Sequence, residues 1–207
     1  MDIELGCWLQ LNKIEKIIDK HNKNGDLYLN NDKKHNDFVN KYYYEILPIF
    51  YYAKKCEATE VFFVDDNKPN NSFDGKFKVK DCIIDIECTK SVNENNAEIQ
   101  RYCNKNCFLY SYSVSLSKED FIKNVMMIVQ NSILNKINEG RSKNKYKDFH
   151  LIVTLDDICF SFCSYSEFEI GITKYLFIDD ITPFKKILFY KNVATGYPVF
   201  IQEIGAK

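Results

Sequence analysis

Glycine is scarce in this 207-residue chain, seven in all, and none falls in a run that could cradle a phosphate. A glycine-rich nucleotide-binding loop is therefore excluded. Three histidines occur, His21, His35 and His150, and no two are close in sequence, so an imidazole-rich metal site has no material. No run of about 18 apolar residues exists, which leaves no membrane span. The net charge of −1 is too small to draw in a polyanion, so any contact with nucleic acid has to rest on local patches. Asp2 and Glu4 stand where a secretory leader carries basic residues. A cytoplasmic protein is expected, with its eight cysteines kept as thiols. The pairs Cys103/Cys107 and Cys159/Cys163 lack the two-residue gap of zinc knuckles.

What is present is a globular mixture, 45% hydrophobic and 28% charged. It fits a single domain over residues 1–207, with 1–35 as an N-terminal helical extension. Trp8, Leu11, Ile14, Ile17 and Ile18 recur at helical spacing and predict a helix over 7–21. Asp37 is placed to cap a second helix to about Lys55, which Pro48 should bend or split. Residues 60–64 read as a strand, and 73–80 with 82–89 as a hairpin. A short helix is expected near 97–102 and β structure over 108–115. Ser117 opens the longest helix, whose buried stripe is Phe121, Val125, Ile128, Val129, Ile133 and Ile137 and which Gly140 ends. Strands are expected over 150–155, 158–162, 175–178, 186–190 and 199–203. The order predicts α/β or α+β architecture, a central mixed sheet flanked by helices.

The chemistry concentrates in one segment. Asp74 precedes a strand, and on the next strand Asp85, Glu87 and Thr89 alternate with Ile84, Ile86 and Cys88. Alternate residues share a face about 6.5–7 Å apart, so the acids face one way and the apolar set a core. Carboxylates converging from adjacent strands can hold a hard divalent cation while leaving positions for water and phosphate. The bland alternatives are a wetted strand face for the acids and an Asp-Gly turn for Asp74-Gly75.

The segment Phe73-Asp74-Gly75, followed by Ile86-Glu87-Cys88-Thr89-Lys90, resembles the PD-(D/E)XK nuclease superfamily, the restriction-endonuclease-like fold. The surrounding order agrees: a helix before the hairpin, then a long helix, a lysine-rich loop and a buried strand. The resemblance implies a Mg²⁺ (or Mn²⁺) ion held by Asp74 and Glu87 with help from Asp85, and hydrolysis of phosphodiester bonds in DNA more than RNA. Thr89 stands where the family has lysine, Phe73 where it has proline. Lys90 is adjacent but alternation aims it at the opposite face, so the cation could come instead from Lys76, Lys78 or Lys136. Glu45 matches the acid that the family's first core helix often adds. Lys76, Lys78, Lys136, Arg141, Lys143, Lys145 and Lys147 are candidates for the nucleic-acid backbone. A homodimer or protein partner is a further expectation. The rival expectation is the same fold without catalysis, a protein- or nucleic-acid-binding module in a defence or toxin-neutralising system.

Overall fold

A computed structural model describes residues 3–24, 33–65, 73–91, 117–141, 146–155, 164–177, 182–191 and 199–205. Seven strands form one mixed sheet in sequential order: β1 (Trp8–Gln10), β2 (Glu60–Phe63), β3 (Gly75–Val79), β4 (Cys82–Lys90), β5 (His150–Thr154), β6 (Lys186–Lys191) and β7 (Val199–Gly205). Strands β1 to β4 run antiparallel to their neighbours. Strands β4, β5 and β6 are parallel, and β7 turns back. The expected α/β class with a mixed, helix-flanked sheet is the observed one.

The parallel steps need crossovers. The one from β4 to β5 contains the long helix α4 (Lys118–Arg141), and the one from β5 to β6 contains α5 (Tyr165–Tyr175). Both helices pack on one face of the sheet: Val125, Met126, Val129, Ile133, Ile137, Phe168 and Ile172 meet Leu151, Val153, Ile187 and Phe189. The other face carries α1 (Leu11–Asn24), a π-helical turn (Tyr42–Ile46) and α3 (Leu47–Lys55). Their Ile14, Ile18, Tyr42, Ile46, Ile49, Phe50 and Tyr52 bury Val61, Phe77, Ile86, Cys88, Ile152 and Leu188. Strand β5 is buried at every residue, which its unbroken apolar run requires.

Several local expectations change. Trp8 lies in a strand instead of a helix, because Trp8–Gln10 pairs with Glu60–Phe62; the helix begins at Leu11. Asp37 lies inside α2 (Lys33–Lys41) and does not cap it. The helix expected to run to Lys55 is broken up next to Pro48, as that residue implied: α2 passes into the π-helical turn, and α3 then starts with Pro48 in its first turn, where a missing N–H is best tolerated. Tyr175, expected in a strand, ends α5. That helix has a complete capping box, Ser164 accepting the Glu167 N–H while the Glu167 carboxylate accepts the Ser164 N–H. The elements expected over 97–102, 108–115 and 158–162 lie outside the described residues.

Candidate functional site

The β3–β4 hairpin closes through Lys80-Asp81, with Lys80 at φ 54°. Its register pairs Gly75 with Ile86, Lys76 with Asp85 and Phe77 with Ile84. One step further along, Asp74 stands opposite Glu87. Gly75 is there for space and not for a turn: a Cβ would lie 2.8 Å from Ile49 Cδ1 and 2.8 Å from the Phe62 carbonyl oxygen. Asp74 is pinned on three sides. Its N–H donates to Ile86 O (3.0 Å), its carbonyl accepts from Val64 N–H (3.1 Å), and its Oδ2 accepts from Cys88 N–H at 2.7 Å.

Glu87 is buried on the sheet face that α4 covers. Its Oε1 accepts from Lys136 Nζ at 2.6 Å and from Tyr146 Oη at 3.1 Å. Lys136 comes from α4; Tyr146 stands just before β5, itself fully buried and stacked on Phe184 at 5.1 Å between centroids. The remaining oxygens, Asp74 Oδ1 and Glu87 Oε2, make no hydrogen bond among the described residues. They are the two atoms available to an added cation.

The electrostatics follow from this packing. Burial, and then the Glu87 charge, push the Asp74 carboxyl up to about 6, against the pull of the Cys88 N–H, Lys136 and Lys41. Burial by itself would lower the Lys136 ammonium, but the charge and hydrogen bond of Glu87, with Asp74 behind them, hold it above the ordinary lysine range. Lys136 is thus a fixed cation. Burial and the charges of Asp74, Glu45 and Glu87 raise the Cys88 thiol well above its usual value, so it stays protonated and is no nucleophile.

Sequence reasoning expected three converging carboxylates, and the structure brings two. Among the described residues no group of three His, Cys, Asp or Glu side chains is placed to hold a metal ion. Asp85 is on the Glu87 face but faces Lys76 across the strand pair. Its pKa is raised by burial and lowered again by Lys76. Thr89 follows Glu87 on the same face, half-buried. Lys90 does not join the pair; its ammonium lies 3.5 Å from the Tyr44 ring centroid in the π-helical turn, as strand alternation requires. Glu45 is held by Lys41 at 2.7 Å, a buried lysine on the preceding turn, and its charge is felt by Cys88.

Of the backbone-binding candidates, Lys136 is an ion-pair partner inside the site and not a free surface cation. Lys78 is shared with Glu60 at 3.8 Å. Lys76 is enclosed by aromatic rings, and Lys147 is exposed. Lys143 and Lys145 lie outside the described residues; Arg141 is the last residue of α4. Sequence reasoning missed Lys41 and Tyr146. Lys41 had a signal in the i, i+4 pairing with Glu45; Tyr146 had none beyond its place in the basic loop.

Two carboxylate oxygens without other bonds, both hard donors, suit Mg²⁺ or Mn²⁺, which commonly take one or two carboxylates and fill the other positions with water and phosphate oxygens. No helix among the described residues is long and apolar enough to cross a membrane. Comparison with protein-family models, curated proteins and solved structures finds no match.

Proposed function

We propose that this chain is a divalent-cation-dependent phosphodiesterase acting on nucleic acid, DNA more than RNA. The observation that carries the reading is the Lys136 ammonium, delivered from α4 to within 2.6 Å of Glu87. The Glu87-Cys88-Thr89 segment lacks the positive charge that phosphoryl transfer needs; a helix 49 residues away supplies it. The element order, helix α3, hairpin β3–β4, long helix α4, then the parallel strand β5, supports the same reading.

In this mechanism Asp74 Oδ1 and Glu87 Oε2 would hold the cation, which supplies charge neutralisation on the phosphoryl oxygens and a more acidic water. Lys136 stabilises charge developing on the phosphoryl group. Tyr146 fixes the Glu87 carboxylate, and the Cys88 N–H fixes that of Asp74, so neither carboxylate reorients when the substrate arrives. Glu45, paired with Lys41, lies near enough for its charge to act on Cys88. The test is purified protein with supercoiled plasmid and with single-stranded DNA in Mg²⁺ or Mn²⁺. Nicking or shortening is expected, falling at least about 100-fold in Glu87→Gln and in Lys136→Gln. Undiminished cleavage by Glu87→Gln removes that residue from the mechanism.

One observation favours a second reading. With two acids instead of three, and Glu87 already paired, the cluster also works as a structural ion pair in a catalytically inactive binding module, of the kind used in defence or toxin neutralisation. Calorimetric titration with Mn²⁺ separates the two: a saturable site supports the enzyme, and its absence supports the module.

A further inference from the structure

The face of the sheet that carries Glu87 is covered by α4 and α5 over β5 and β6; among the described residues no helix packs on its β1–β3 half. Across that half the register aligns Trp8 with Phe62 and Phe62 with Lys76, and Lys76 with Asp85 on β4. Trp8 is 37% exposed; Phe62, Phe73, Lys76 and Asp85 are half-buried, and none of them belongs to the core beneath α4. Trp8 and Phe62 meet edge-on at 5.8 Å, and Phe62 and Phe73 lie tilted to each other at 6.1 Å. The Lys76 ammonium lies 5.4, 5.0 and 4.8 Å from the Trp8, Phe62 and Phe73 centroids. Core aromatics are normally buried out of reach. Here Trp8 is exposed and Phe62 and Phe73 are only partly covered, with a lysine centred among them.

We propose that Trp8, Phe62, Phe73 and Lys76 form a stacking platform for unpaired bases of a nucleic-acid strand whose phosphate lies at the Asp74/Glu87 site; the proposal rests on the phosphodiesterase reading of that site. Three points argue for this occupant. The platform is continuous with the site, since Phe73 precedes Asp74 and Lys76 faces Asp85, one alternation from Glu87. Its chemistry joins flat aromatic surface to a cation, the combination that holds single strands through base stacking and phosphate contact. Its base-binding elements are side chains lying on a sheet, which a duplex, with its bases stacked inward, cannot reach. Among the described residues no ion pair holds Lys76: it lies over the three rings, and Asp85 faces it across the strand pair and feels its charge without closing a salt bridge. It can therefore turn from the rings to a phosphate oxygen without breaking a salt bridge.

Trp8 is the sole tryptophan of the chain, so its emission reports the platform directly. The experiment titrates the full chain, in EDTA to prevent cleavage, with an oligothymidylate, an oligouridylate and a DNA duplex of equal length. Cleavage of the same substrates is measured separately in Mn²⁺. Saturable quenching by the single strands and much weaker quenching by the duplex are expected; the DNA and RNA arms tell which sugar is preferred. Phe62→Leu, which keeps apolar bulk and loses the ring, is expected to weaken single-strand binding roughly 5- to 150-fold, while Phe62→Tyr retains it. Should Phe62→Leu fold poorly, Trp8→Leu followed by anisotropy of a labelled strand gives the same comparison. Equal binding of duplex and single strand, or wild-type affinity in Phe62→Leu, overturns the platform. Cleavage without quenching overturns the platform alone. Quenching without cleavage leaves the platform standing and overturns the phosphodiesterase reading.

Discussion

The Asp74 and Glu87 carboxylates are held by different means, and substitutions should separate them. Glu87 is 4% exposed and depends on Lys136 and Tyr146. Lys136→Met strands a buried carboxylate, and unfolding in denaturant should show a loss of about 3 kcal/mol; the low end of the usual range applies because Lys136 keeps 22% exposure. Adding Glu87→Gln to Lys136→Met should recover most of that loss; no recovery would mean that the ion pair is not what the lysine contributes. Asp74 behaves oppositely. Its carboxyl is raised from 3.8 to about 6, by burial first and by Glu87 second. The folded chain therefore binds that proton more tightly than the unfolded chain does. The contribution of Asp74 to stability is greatest below pH 4 and declines as pH rises to about 6. In EDTA, Asp74→Asn, whose amide oxygen still accepts the Cys88 N–H, should match the wild type near pH 4 and be the more stable protein at pH 7. Under the proposed function a bound cation would reverse the balance, because it needs the ionised form. Mn²⁺ affinity should rise about tenfold per pH unit up to roughly 6 and level off above it, as calorimetry at pH 5 and pH 7 would show.

At the scale of elements, the site depends on how closely β3 is packed. Gly75 is squeezed between Ile49 and the Phe62 carbonyl, and the carbonyl is backbone that cannot swing away. Gly75→Ala should cost about 1–3 kcal/mol, shift Asp74 and weaken Mn²⁺ binding along with stability. A substitution in α5 should leave the site alone: Ser164→Ala removes the cap and costs about 1 kcal/mol in thermal unfolding, with Mn²⁺ affinity unchanged. The sequence shows unevenly which elements form. Strand β4 was readable because Ile84, Ile86 and Cys88 alternate with acids, and α4 because its apolar stripe spans several turns. Trp8–Gln10 was not, since three residues become a strand only when a partner such as Glu60–Phe62 is present. Helix α5 carried a readable start in Ser164-Tyr165-Ser166-Glu167, but no element was read over 164–174, and the strand expected from Tyr175 overlaps only its last residue. The π-helical turn ends just before Pro48, whose missing N–H and ring disfavour an unbroken α-helix; that residue foretold a break but not its form. The turn arises where Tyr42 and Ile46 are both driven into the core, each 0% exposed.

At the scale of the whole molecule, the candidate site straddles two helical layers that share one sheet. Asp74 and Glu87 were visible as neighbours because a hairpin joins them. Lys136 could be named only as one of three candidate lysines, beside Lys76 and Lys78, and Tyr146 not at all, since they lie 49 and 59 residues from Glu87 and reach it only once α4 crosses over to set β5 beside β4. The sharing also dictates how the protein unfolds. Leu151 points into the layer beneath α4 and α5, and Ile152, the next residue of the same strand, into the layer with α1 and α3. Neither layer can lose its packing without stripping one side of β4, β5 and β6, so the two should melt together. Leu151→Ala and Ile152→Ala, measured singly, should each cost about 2–5 kcal/mol. In both variants far-ultraviolet dichroism, which follows the helices, should give the same denaturant midpoint as the emission of Trp8 on edge strand β1. Midpoints that separate in either variant would mean that one layer can open while the other holds. The carboxylate pair, which needs Lys136 from one layer and lies within the field of Lys41 from the other, would then be assembled only in the fully closed form.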